Sequence, residues 1–159
     1  MTLADKGAFD TLTAAEWNEL IRGFNPPGAI AKRVATQSLT SAAPNTISFD
    51  TEEFDNGGFF APTSTDITVP ITAVWRLEGW IEIQANTTGM RSLEVALNGT
   101  ITGTLSEAQP PPSAFTSRIS ISGSYYAAAG SKFSLIGFQN SGSALTCTAR
   151  LAVIRATGA

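Results

Sequence analysis

The sequence predicts an all-β sandwich behind one short N-terminal α-helix. Three observations carry that expectation. Ser and Thr supply 15 and 20 of the 159 residues, while charged residues make up only 14%, well under the roughly 25% usual in soluble domains. From residue 32 onward, apolar and polar residues alternate with period two over several long runs, the signature of half-buried strands. The one well-signalled helical period lies in the first 25 residues. The length fits a single domain with a short appendage, large enough to bury a core without disulfides.

The helix is expected over about residues 14–23. Thr13-Ala-Ala-Glu16 is a capping box, with Leu12 and Trp17 placed to close a hydrophobic staple. Trp17, Leu20, Ile21 and Phe24 fall at i, i+3, i+4 and i+7, which gives one apolar stripe. Gly23 is a candidate C-terminal cap, and Asn25-Pro26-Pro27-Gly28 ends the run. A helix of about ten residues does not persist alone in water, so the stripe must dock. Two readings stand: packing on its own domain or a sister subunit, or anchorage in a larger assembly. The chain thus divides into a leader, residues 1–30, and a body, residues 31–159. Charge divides it too: residues 1–60 hold eight carboxylates against four cations, and the remainder five against six.

In the body, Trp75, Leu77, Ile81 and Ile83 alternate with Arg76, Glu78, Glu82 and Gln84, predicting a long half-buried strand. Leu93, Val95 and Leu97 form a second inward row, and Asn98-Gly99 marks a tight hairpin into residues 100–105. Ile119, Ile121 and Tyr125 define a further strand; Leu145, Cys147, Ala149, Leu151 and Val153 define the last. Shorter strands are expected near 33–38, 45–49 and 66–69, with a stiff Pro110-Pro111-Pro112 loop between the middle strands. Eight to ten strands separated by turns make a sandwich or jelly roll.

Two places break the alternation. Trp80 falls on the polar face between Glu78 and Glu82, and Ile136 and Phe138 lie opposite Phe133 and Leu135. A strand apolar on both faces is central in a sandwich or covered by another subunit. Large aromatics bury much area at little entropic cost, so Trp80, Ile136 and Phe138 are the candidate subunit interface. The competing reading for Trp80 is cover by a loop of its own chain.

Much chemistry is excluded. The chain has no His, so neither a Ser-His-Asp triad nor a His-ligated metal site can form. One cysteine, Cys147, closes no intrachain disulfide and is expected to be an inert core thiol. Ten Lys and Arg at net charge −3 do not make a nucleic-acid surface. No apolar run of about 18 residues exists to span a membrane, and the N-terminus lacks the pattern of a signal peptide. Glu78 and Glu82, four residues apart on one strand, stand roughly 13 Å apart, beyond both glycosidase spacings. The acidic stretch Asp50-Thr-Glu52-Glu53-Phe-Asp55-Asn56-Gly57 offers oxygen ligands but lacks the spacing of a calcium loop. It reads as an acidic turn. No catalytic residue, cofactor or metal is expected.

Thr46-Ile-Ser-Phe-Asp50, Gly57-Gly-Phe-Phe60, Ile67-Thr-Val-Pro-Ile71 and Val74-Trp-Arg-Leu-Glu-Gly79 are similar to the front half of C1q/TNF-like jelly-roll domains. Tyr125-Tyr-Ala-Ala-Ala-Gly130, Phe133-Ser-Leu-Ile-Gly-Phe-Gln-Asn140 and Leu151-Ala-Val-Ile-Arg155 resemble that family's back half. The resemblance covers residues 33–156, with Gly130-Ser131 standing where the family has Gly-Asp. It implies a C1q/TNF-like jelly roll and a homotrimer. The Thr-Ala-Ala-Glu-Trp-Asn leader resembles N-terminal regions of bacteriophage virion proteins. Together these imply a non-enzymatic, trimeric decoration or fibre-like protein on a phage capsid, made without a signal peptide and held at the virion surface by Trp17, Leu20, Ile21 and Phe24. The alternatives are a tail protein that binds a host-surface glycan or protein, and a bacterial ligand-binding module.

Overall fold

The computed structural model describes Thr13, Ala14, Trp17, residues 26–109 and residues 115–156. Among them run ten strands: β1 (Gly28–Leu39), β2 (Asn45–Thr46), β3 (Thr51–Asp55), β4 (Ile67–Thr68), β5 (Ala73–Ile83), β6 (Arg91–Leu97), β7 (Thr100–Gln109), β8 (Ser117–Ala127), β9 (Lys132–Gln139) and β10 (Leu145–Arg155). They form two sheets of order β3-β1-β10-β5-β8 and β2-β9-β6-β7, with β4 also paired to β9. The first and last strands lie side by side and antiparallel at the heart of the first sheet. Alternation in β5, β8 and β10 sends the expected rows inward: Trp75, Leu77, Ile81, Ile83, Ile119, Leu151 and Val153 are all buried. They meet Leu93, Val95, Phe133 and Leu135 of the second sheet, so one core lies between the layers.

Glycines stand in the inward rows at two places where side chains of the facing sheet leave no room for a Cβ without displacement. A Cβ on Gly137 would come within 2.7 Å of Ile81 Cδ1, and one on Gly79 within 3.2 Å of Leu135 Cδ2. Edge-to-face aromatic pairs fill one end of the core, with ring centroids 5.9 Å apart for Phe59–Trp75 and 6.2 Å for Phe49–Phe60. The Asn98-Gly99 hairpin is present: both residues have positive φ, 51° and 80°, as a two-residue turn of this hand requires. The Asn98 side chain also accepts from the Lys132 amide at 2.9 Å.

β1 departs from expectation. It begins at Gly28, so residues 28–30 belong to the strand and not to the leader. It also bulges: Arg33 pairs with Ala149 but Gln37 with Cys147, so β1 spends two more residues than its partner. The bulge frees the amides of Val34 and Ala35, and both donate to Asp50 at 2.9 Å. The leader stripe residues Leu20, Ile21 and Phe24 lie outside the described residues, as does the 110–112 proline loop. Trp17 is described. Its amide donates to the Thr13 carbonyl at 2.9 Å, the bond expected where Thr13 is the N-cap. No helix among the described residues is long and apolar enough to cross a membrane.

Cys147 sits in the inward row of β10, 2% exposed. Burial pushes its thiol up to about 11, against a smaller opposing pull from Arg33. The thiolate is the reactive form, so Cys147 should resist a disulfide reagent at pH 8 in the native protein and react at once in denaturant. Fast labelling of native protein would contradict the inert assignment.

Candidate interaction face

Trp80 stands at the middle of the outer face of the first sheet. Residues directly opposite one another across paired strands share a face, and Lys32, Arg150, Trp80 and Ser120 form one such row across β1, β10, β5 and β8. The next row is Phe54, Ile30, Ala152, Glu78 and Ser122. On the other side come Thr148, Glu82 and Arg118. Trp80 is half-buried, and part of its cover is the Arg118 guanidinium, 4.3 Å from the ring centroid. That cation–π contact comes from the neighbouring strand, not from a loop.

The charges around the indole are paired. Arg118 donates to Glu82 at 3.0 Å, and Arg76 pairs with Glu78. Glu53, the extra residue of a bulge in β3, takes Arg150 at 3.0 Å and Lys32 at 2.9 Å. The face therefore presents a large aromatic and small residues inside a neutralised ring of charge, which assembly can cover without stranding an ion. Glu78 and Glu82 answer to different arginines and flank Trp80 rather than a shared cleft. Beside the indole lies a depression of about 240 Å³ lined by Glu78, Trp80, Ser120, Ser122 and Arg150. A second, of about 220 Å³, is lined mainly by hydroxyls: Thr36, Thr116, Thr146 and Thr148, with Glu82 and Gln84.

Ile136 and Phe138 are elsewhere. β9 belongs to the second sheet, and with Phe133 and Leu135 turned into the core they face outward on the opposite side of the sandwich. Ile136 sits opposite Glu94 and Phe138 opposite Ser92. Trp80 thus lies on one outer face of the sandwich and Ile136 and Phe138 on the other, with the core between them; in a cyclic trimer each subunit contributes two different faces to its contacts. Trp80 is instead joined by Arg118, Arg150 and Glu53, which the alternation pattern leaves unremarkable. Only cross-strand register brings them together.

The acidic stretch is wired into the fold. Burial opposes ionisation of Asp50, but amide donors from Val34 and Ala35, the Thr51 hydroxyl and Arg33 outweigh it and hold the carboxyl below its ordinary value. Asp55 is likewise held low, its burial outweighed by the amides of Phe60, Phe59, Gly57 and Gly58. Arg150 and then Lys32 lower Glu53. Among the described residues no group of three or more metal-ligating side chains comes together. All three carboxyls bind a proton less readily folded than unfolded. Their stabilisation is complete above the ordinary values of 3.8 and 4.5 and is lost as pH falls through the lower folded-state values. The melting temperature should be flat from neutrality to about pH 5 and fall below about pH 4. Asp50→Asn should shallow that fall in a pH series of thermal melts, and an unchanged slope would contradict the assignment.

No protein-family model matches the chain, nor does any curated protein sequence. Solved structures do resemble it. The globular domain of zebrafish complement 1qA protein superposes with a TM-score of 0.57 at 12% identity, covering 82% of this chain and 96% of that one. Murine APRIL at pH 5.0 gives 0.57 at 10% identity, covering 78% and 98%. At pH 8.5 it gives 0.56 at 8%, covering 81% and 99%. At such identities the likeness establishes the fold alone: this chain folds as a C1q/TNF-like jelly roll.

Proposed function

We propose that this chain is a non-enzymatic structural protein, a homotrimeric jelly-roll ornament of a phage particle attached through its leader. The observation that carries self-association is Trp80: a half-buried indole at the centre of a sheet face whose neighbouring charges are already paired. Aromatic anchors ringed by polar groups are the usual core of protein contacts. The C1q/TNF-like fold supports the same reading, since the family resemblance implies a trimer. Attachment to a virion rests on the leader: a capped amphipathic segment with Trp17 at 55% exposure is suited to insertion into a neighbouring protein.

A second reading has its own support. The hydroxyl-lined depression at Thr36, Thr116, Thr146 and Thr148 offers the short polar side chains that hydrogen-bond a saccharide. This favours a receptor-binding protein at a phage tail, or a bacterial ligand-binding module, with a glycan as ligand. Cryo-electron microscopy of the particle of origin separates the readings. Three-fold density on the head lattice is the expected result. Density at the tail tip favours receptor binding, and a protein absent from particles overturns the virion assignment.

A further inference from the structure

A groove of about 430 Å³ opens on the same outer face, bordering the Trp80 row through Glu78. Pro26, Ala152, Ile154 and Ala156 line it, with Arg76, Glu78 and Arg155 as its polar members. The apolar lane continues sideways, since Ile30 pairs with Ala152 and Phe54, 39% exposed, pairs with Ile30. The chain that leads into β1 is pinned at this place. The Arg155 amide donates to the Pro27 carbonyl at 2.8 Å, and the Asn56 side chain donates to the Pro26 carbonyl at 3.2 Å. Whatever precedes Pro26 therefore leaves from the wall of the groove.

We propose that this groove receives the end of its own subunit's leader, Ile21 and Phe24, while Trp17 stays available for attachment. Reach decides the occupant. Phe24 is two residues before Pro26, and two residues span at most about 7 Å, so the groove is within reach of the Phe24 side chain. An amphipathic segment this short needs an apolar surface to persist, and this one begins at Pro26, where the leader meets the body. Trp17 sits seven residues earlier on the stripe, about 10 Å along a helix, and is 55% exposed. One stripe thus serves two contacts: its C-terminal half fastens the leader to the body, and its N-terminal half projects. The groove contact stands independently of the virion reading, whereas Trp17's part rests on it.

The test pairs Phe24→Cys with Ile154→Cys, oxidises the purified full chain with diamide and maps the linked peptides. The expected result is a 24–154 disulfide within one chain in most molecules, with no link when Trp17→Cys replaces Phe24→Cys. Linkage only between chains would assign the groove to a neighbour's leader and overturn the proposal. So would two thiols that stay free and alkylate readily. In parallel, Phe24→Ser should lower the melting temperature by a few degrees, and adding Ile154→Ser should lower it by less than the sum of the single effects. Strictly additive losses would overturn the contact. Light scattering on the same samples reports assembly separately, so loss of the trimer cannot be mistaken for loss of the leader contact.

Discussion

Trp80→Glu is expected to convert an assembly of three 16.6 kDa chains into monomers at micromolar concentration. The substitution places a third carboxylate between Glu78 and Glu82 on one strand face, with neighbours about 7 Å away on each side. It also removes the ring beneath Arg118. In the free subunit the cost is small, since the site is half-open and Arg118 can pair with the new carboxylate. On assembly Arg118, already committed to Glu82, cannot neutralise both carboxylates, so one charge is buried unpaired, a loss of about 3–5 kcal/mol. That weakens association by at least about a hundredfold. Static light scattering reads the mass directly, and thermal melts at low concentration check that the subunit still folds. Wild-type protein that scatters as a 16.6 kDa monomer, or a variant that remains trimeric, would remove Trp80 from the interface.

On the proposed virion role, removing residues 1–25 should leave a folded, trimeric body that no longer joins the particle. The cut belongs at 25 because the structure uses everything after it. Pro26 and Pro27 accept hydrogen bonds, and the Gly28 amide donates to Asn56 at 2.7 Å. A cut at 28 would strand those partners and confound attachment with stability. The truncated body should melt only a few degrees lower, through loss of the groove contact. Trp17→Ala with Leu20→Ala should reproduce the loss of attachment without changing the melting temperature. Particle occupancy measured by gel densitometry decides the matter. Full occupancy of the truncated protein would place the contact on the jelly roll, and an unfolded body would make the leader part of the core.

The inward rows of β5, β6, β8 and β10, the Asn98-Gly99 hairpin and the buried Cys147 were all legible as patterns along the chain. Each depends only on the direction in which successive Cβ atoms leave a strand, a property set within a few residues. β1 was legible only in part, because its bulge interrupts the alternation at Val34, Ala35 and Thr36. The group that stabilises the bulge, Asp50, is fifteen residues beyond Ala35. Asp50, Glu53 and Asp55 looked like one acidic cluster in the sequence. Folding sends them to separate tasks, capping the β1 bulge, bridging Lys32 with Arg150, and closing the 55–60 turn.

Trp80 and Ile136 show the division most plainly. Alternation marks both as apolar side chains on the outward face of a strand. Which outward face each occupies depends on the sheet its strand joins, and that is settled by pairings between residues as distant as Gly28 and Ile154. Local pattern encodes whether a side chain points in or out, because backbone geometry alone sets its direction. What it meets outside is a matter of sheet order and register, which long-range strand pairing decides. The core was therefore readable from the chain, whereas the Trp80–Arg118–Glu82 face came into being only with the tertiary fold.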